Sequence, residues 1–180
     1  MGVDPGTNQL GLAFMVLDNN FNIVRITSRT INPLDIYNHD LLVYTRKKDL
    51  DYKQRTNYIC KDITTIIHSV EPDICSIETP FINMRRPMSF IVLQFHFDMV
   101  VNSIMAAKDN IALFKYAPQS LKSSIGVSGK KGKEVVKNAL IGIEEINKCM
   151  DRVNNMSEHE FDAVSACYCQ LKRMRESKIV

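Results

Sequence analysis

A carboxylate stands at the end of the first apolar run, Met1-Gly2-Val3-Asp4, and a Pro-Gly turn follows at once at Pro5 and Gly6. A second run, Leu10 to Leu17, alternates Leu10, Leu12, Phe14 and Val16, which is the period of a strand. The two runs read as a hairpin with Asp4 near its centre. That pattern constrains the fold strongly. A carboxylate in an apolar strand is costly to desolvate unless it meets a proton, a cation or a metal. Any fold built on this hairpin must bring compensating groups to Asp4.

The residues that follow supply such groups at intervals. Phe21 to Ile31 is β-branched and alternating, so it reads as a third strand after the Asp18-Asn19-Asn20 turn, giving an antiparallel meander. Asn32 to Asp51 is polar and carries Arg46-Lys47-Lys48, as expected of an irregular, solvated excursion. Apolar residues then recur at helical spacing from Tyr52 to Val70, and Glu71-Pro72-Asp73 ends that helix, because proline disfavours helical geometry in the residue before it. Ile74 to Ile77 is a short strand of buried type that ends on Glu78. Strand, helix, strand in this order predicts an α/β domain with parallel pairing.

Pro87 to Lys108 is the longest helix candidate and is apolar on nearly every side. Such a helix is buried on more than one side, whether inside one subunit or against a partner subunit. Ile111 to Tyr116 predicts another strand. Leu121 to Gly126 predicts a helical turn, Ser128 to Lys133 a mobile basic loop, and Glu134 to Asn147 a helix. Ser157 and Glu160 match a capping box. Helical spacing then runs through Phe161, Val164, Tyr168, Leu171 and Met174 to a basic end at Lys172, Arg173 and Arg175, which suits the helix dipole.

A chain of 180 residues is expected to form one domain over residues 1–180, with no internal repeat and no low-complexity segment. Its five cysteines form no paired metal-binding spacing, and no secretory leader is apparent, so reduced thiols in the cytoplasm are expected. Cys167 and Cys169 are better suited to filling space in a helix than to holding a metal. No apolar run looks long enough to span a bilayer, so no membrane partner is expected. A net charge of +3 is too small to establish a nucleic-acid partner.

His159 and Asp162 lie three residues apart, so they share one face of the last helix, and Ala163 and Ala166 would let that face approach a sheet closely. Acidic or imidazole groups thus mark apolar elements at Asp4, at Glu78, and at His159 with Asp162. Each has a simpler reading alone: a turn former, the polar end of a strand, a first-turn acid and an exposed neighbour of the cap. Together they offer hard oxygen donors of the kind Mg²⁺ prefers. Two such ions roughly 4 Å apart can hold both the attacking and the leaving oxygen of a phosphodiester.

Four segments resemble the RuvC family of Holliday junction resolvases, in the ribonuclease H-like superfamily. Gly2-Val3-Asp4-Pro5-Gly6-Thr7 resembles its opening strand, and Pro72-Asp73 to Phe81 its second catalytic segment. Tyr116-Ala117-Pro118-Gln119-Ser120-Leu121-Lys122 resembles the approach to its basic DNA-binding loop, and Glu158 to Ala166 its closing catalytic helix. The resemblance implies a ribonuclease H-like α/β fold, with a five-stranded mixed sheet flanked by helices. It implies an Mg²⁺-dependent endonuclease (Mn²⁺ being an alternative) with two ions held by Asp4, Glu78 and Asp162. His159 stands where many relatives have Asp, and acts as a ligand or as a base, with Glu158 or Glu160 as substitutes.

The resemblance also implies branched DNA as partner. Phe81 would be an aromatic that stacks on a base at the opened junction, unless it is a core residue. Lys122, Lys130, Lys131 and Lys133, joined by Arg85 and Arg86, would contact phosphates. The 87–108 helix would form a homodimer whose paired sites nick opposing strands, leaving 5′-phosphate and 3′-hydroxyl ends. Three rival readings follow from the same residues. One is a broader nuclease for flaps, forks and three-way branches. Another is a nucleotide-binding module, because Asp4-Pro5-Gly6-Thr7 also resembles the phosphate loop of actin-like sugar kinases; the absence of an internal repeat counts against it. The last is a DNA-binding scaffold without catalysis.

Overall fold

The computed structural model describes residues 1–33, 52–81, 87–129, 132–151 and 153–177. Its sheet has the strands β1 (Gly2–Asp4), β2 (Leu10–Leu17), β3 (Ile23–Ile31), β4 (Ile74–Glu78) and β5 (Ala112–Tyr116), in the order β3-β2-β1-β4-β5. The first three pair antiparallel, and β1, β4 and β5 pair parallel. The expected five-stranded mixed sheet is therefore present. β3 starts later than expected because the Asp18 carboxylate accepts the amides of Asn20 and Asn22, holding those residues in a turn where Phe21 takes a positive φ of 61°.

Helices cover both faces. On one face lie α1 (Tyr52–Val70) and α2 (Pro87–Ala107). Their Ile59, Ile63, Ile67, Phe97, Val100 and Ile104 pack with Val3, Leu10, Leu12 and Ile77 of the sheet. On the other face lie α3 (Pro118–Ser124), α4 (Lys133–Gly142), α5 (Glu144–Cys149) and α6 (Glu158–Ser177). There Ala13 and Ile26 meet Leu140, Ile146, Phe161, Val164 and Leu171. The alternation along β2 follows directly: Leu10 and Leu12 enter the first layer while Ala13 enters the second.

Three expectations need correction. The single helix expected over 134–147 is two, because Ile143 adopts an extended backbone (φ −83°, ψ 107°). Gly142 is a weak helix former, and Glu144 and Glu145 favour a fresh helix N-terminus, which turns Ile146 into the core. The helical turn expected from Leu121 begins earlier, at Pro118, whose fixed φ suits the first helical position. Finally, Ser89–Ala107 is long and apolar enough, by length and composition, to cross a membrane. The sequence concealed this because Gln94, His96, Asp98 and Asn102 interrupt the apolar run without ending the helix. In this fold one face of that helix packs into the core.

All five cysteines are free, four buried and Cys149 half-buried, as expected of reduced thiols. The excursion expected over 32–51 lies, from residue 34 onward, outside the described residues.

Candidate active site

Strand register puts two of the acids on one face. Gly2 pairs with Ser76, and two residues further along their strands stand Asp4 and Glu78. Side chains alternate along a strand, so both carboxylates point the same way. That side is covered by α6. A Cβ on Gly2 would lie 2.0 Å from the Ala163 carbonyl oxygen, and one on Gly11 would lie 2.0 Å from that of His159. Only glycine permits this approach, and it brings the first turns of α6 down on Asp4.

His159 Nδ1 then lies 2.5 Å from Asp4 Oδ2, with the two side chains 27% and 15% exposed. This bond, opposed by desolvation and aided by the charge of Asp4, raises the His159 pKa above its ordinary value. Glu78 is pushed up to about 8 by burial first, then by the charges of Asp4 and Asp162. Burial and Asp4 likewise raise Asp162 to about 6. Lys122 on α3 pulls both values down, which places its ammonium beside the acids. Asp4, Glu78, His159, Asp162 and Lys122 thus meet in one partly buried cluster.

The cluster is rich in acids. Three carboxylates face one lysine and one imidazole, and burial first, then the repulsion between the acids, raises the proton affinity of Glu78 and Asp162. A hard divalent cation with carboxylate ligands relieves that repulsion, so this donor set fits the metal the sequence implied. Among the described residues no three His, Cys, Asp or Glu groups already converge as a formed metal cage. Asp4 Oδ2 is engaged by His159 instead.

Ser157 and Glu160 set the entry of α6, with one departure from the expected capping box. Ser157 Oγ accepts the Glu160 amide at 3.2 Å. The Glu160 carboxylate reaches across to β3, where Ser28 donates at 2.6 Å and Thr30 at 2.8 Å. Glu160 is therefore an anchor for α6, removing it as a substitute for His159. Glu158 stays near the site: it acts on His159 and Asp162, and lines a cleft of about 370 Å³ with Lys122, Glu134, Lys137, Phe161 and Asp162.

Phe81 is 71% exposed three residues beyond Glu78, which excludes a core role. Lys133 is the first residue of α4. Arg85, Arg86, Lys130 and Lys131 lie outside the described residues, the last two within the basic loop. Sequence reasoning passed over Gly2, Gly11, Ser28 and Thr30. Glycine inside a strand signals close backbone approach and could have flagged the first two, whereas the hydroxyls of β3 carry no such mark.

The sequence profile of the crossover junction endodeoxyribonuclease RuvC family matches residues 1–155. The chain belongs to this family. A RuvC protein of Ehrlichia ruminantium (strain Gardel) is 30% identical over 137 residues, covering 76% of each chain. That of Cytophaga hutchinsonii is 26% identical across 99% of this chain and 80% of its own. Among solved structures, Thermus thermophilus RuvC superimposes with a TM-score of 0.69 at 17% identity, covering 98% of this chain and 95% of that one. The same protein in complex with a Holliday junction substrate gives 0.67 at 16% identity over 96% and 94%. These likenesses confirm the ribonuclease H-like fold. The RuvC profile match contains Asp4, Glu78 and Lys122 but stops short of His159 and Asp162. For those two residues the geometry speaks independently, since α6 delivers both to the acids of β1 and β4.

Proposed function

We propose that this chain is a metal-dependent endonuclease that resolves Holliday junctions. In this reading it makes paired symmetric nicks, leaving 5′-phosphate and 3′-hydroxyl ends. The observation that carries this reading is the meeting of Asp4, Glu78 and Asp162, from three separate elements, in one cluster whose charge calls for cations. Asp4, Glu78 and Asp162 would hold two Mg²⁺, with Mn²⁺ as substitute. When bound, the ions supply an activated water and charge stabilisation for the leaving oxygen.

The chain's own residues do the rest. His159 holds the Asp4 carboxylate through Nδ1 and keeps a proton at the edge of the site, available for transfer to or from the reacting oxygens. Lys122, next to Asp162, meets a phosphate of the bound strand, in a sequence-independent and salt-sensitive contact. Lys130, Lys131 and Lys133, together with Arg85 and Arg86, extend that contact outward. The exposed ring of Phe81 offers a stacking platform for a base at the opened crossover.

In this reading the dimer forms through α2. Ile91, Phe95 and Met105 are 57%, 39% and 54% exposed and recur along one side of this helix. A second copy would cover them, and a two-fold axis there would set two sites against opposing strands.

Cleavage of immobile and mobile four-way junctions, compared with three-way, flap and linear DNA in Mg²⁺ and in chelator, tests the reading. Paired nicks confined to four-way substrates are expected. Metal-dependent cutting spread over every branch would replace it with a general debranching nuclease. Binding without cutting would make the protein a scaffold.

A further inference from the structure

Two residues, Thr79 and Pro80, join the buried acid Glu78 to the exposed ring of Phe81. Glu78 pairs with Tyr116 where β4 and β5 end. One residue further on, the Tyr116 carbonyl accepts two bonds from Thr79, the amide at 2.8 Å and the Oγ1 hydroxyl at 3.2 Å. The amide bond continues the parallel ladder, as any residue but proline could. The hydroxyl bond needs this side chain, and it fixes the Thr79 rotamer together with the backbone.

The acceptor is itself held firmly. Tyr116 is 3% exposed and packs with Leu121 of α3 and with Ala166 and Cys169 of α6. Its own hydroxyl donates to Gln170 Oε1 of α6, and the Arg173 guanidinium lies 4.8 Å from the ring centroid. The other side of Thr79 has little freedom either. A residue before proline is confined to extended backbone, and the pyrrolidine ring locks φ of Pro80. Of the backbone torsions between Glu78 and Phe81, only ψ of Pro80 escapes these constraints. Yet Phe81 is 71% exposed, so packing of its ring does not call for so stiff a link. A ring that must enter a base stack does, because a preorganised group gives up less freedom on binding.

We propose that Thr79 is a positioning residue for Phe81: its hydroxyl, braced on the Tyr116 carbonyl, stiffens the Thr79-Pro80 link so that the ring enters bases still paired at the crossover. Thr79 thereby distinguishes intact junctions from those already opened. The proposal rests on the reading of Phe81 as a stacking platform in a junction nuclease.

Thr79→Val keeps the side-chain shape and loses the hydroxyl, and Thr79→Ser restores it. Pro80→Gly loosens the same link with the hydroxyl in place, and keeps the test open if Thr79→Val folds poorly. Each variant is assayed in Mg²⁺ on a fully paired four-way junction and on one mismatched at the crossover. Thr79→Val and Pro80→Gly should lower kcat about fivefold on the paired junction and less than about twofold on the mismatched one. Thr79→Ser should cut both as the native chain does. Adding Thr79→Val to Phe81→Ala should cost nothing further, as expected when two residues act as one unit.

A second readout needs no cleavage. A fluorescent adenine analogue at the crossover brightens when unstacked, and its signal is followed as the full chain binds the junction in chelator. The rise seen with the native chain should fall by about half or more in Thr79→Val and Pro80→Gly. Equal losses on paired and mismatched junctions would make the link merely structural and overturn the proposal. So would native behaviour of Thr79→Val, or a loss that adds to that of Phe81→Ala. If the native chain cuts no junction, the nuclease reading fails while the fluorescence still decides the role of Thr79. No rise with the native chain would overturn that role together with stacking by Phe81.

Discussion

Glu78→Gln without metal turns the electrostatics of the site into a stability measurement. The Glu78 pKa stands at about 8 in the folded chain against an ordinary 4.5. A group that binds its proton more tightly when folded stabilises the fold fully below its unfolded pKa. That stabilisation is lost as pH rises through the folded value, here between about 4.5 and 8. The difference of about 8 minus 4.5 gives about 3.5 pH units. At about 1.4 kcal/mol per unit the ceiling is roughly 5 kcal/mol. Partial exposure and relaxation of neighbouring side chains bring the expected loss to on the order of 2–3 kcal/mol.

Gln keeps the shape and cannot ionise, so the variant escapes this loss. Urea denaturation in chelator at pH 5, 7 and 9 should show the native chain weakening by that amount relative to Glu78→Gln. At pH 9 the variant should be the more stable of the two. Asp162, raised from 3.8 to about 6, adds a smaller fall at lower pH in both proteins. Added Mg²⁺ should restore the native chain at pH 9 by mass action and help the variant much less. Parallel pH profiles for the two proteins in chelator would refute the reasoning, because Glu78 would then not be held against its charge.

Asp4→Asn and Asp162→Asn should each lower kcat at least about a thousandfold, some 4 kcal/mol in the barrier, while gel-shift affinity for a four-way junction survives. Intact turnover would remove that carboxylate from the mechanism. Phe81→Ala should cost about tenfold or more on fully paired junctions, within the 1–3 kcal/mol of a base stack, and mismatched crossovers should rescue it; equal loss on both substrates would rule out stacking. Gly11→Ala forces a Cβ to within 2.0 Å of the His159 carbonyl. It should destabilise by about 1–3 kcal/mol and lower kcat through displaced α6, read by denaturation and cleavage side by side. Ile91→Glu with Met105→Glu should convert a sedimenting dimer to monomer; an unchanged mass would place the interface elsewhere.

What was legible in the sequence was local. Alternation in 10–17, the proline at 72 and the small residues after Asp162 marked strands, a helix end and a close helix–sheet contact, and each is where it was expected. The break at Ile143 was not legible, because Gly142 alone is tolerated in many helices and the burial of Ile146 that rewards the bend is a tertiary fact. Glu160 shows the same limit. The Ser157-x-x-Glu160 spacing does cap α6, but which oxygen acceptor the hydroxyls of Ser28 and Thr30 choose depends on β3 lying alongside.

The acids are instructive because parity alone nearly places them. Asp4 stands two residues after Gly2 and Glu78 two after Ser76, so once Gly2 and Ser76 pair, both carboxylates must share a face. A slip of one residue in that pairing would send Glu78 to the layer of Ile59 and Ile63, where a carboxylate has no partner. The same slip would lift Ile77 out of that layer. Burial of Val3, Cys75 and Ile77 therefore enforces the register that gathers the acids. The fold here does not tolerate the acid cluster as an exception to its core; the apolar halves of β1 and β4 hold the cluster together against its own repulsion.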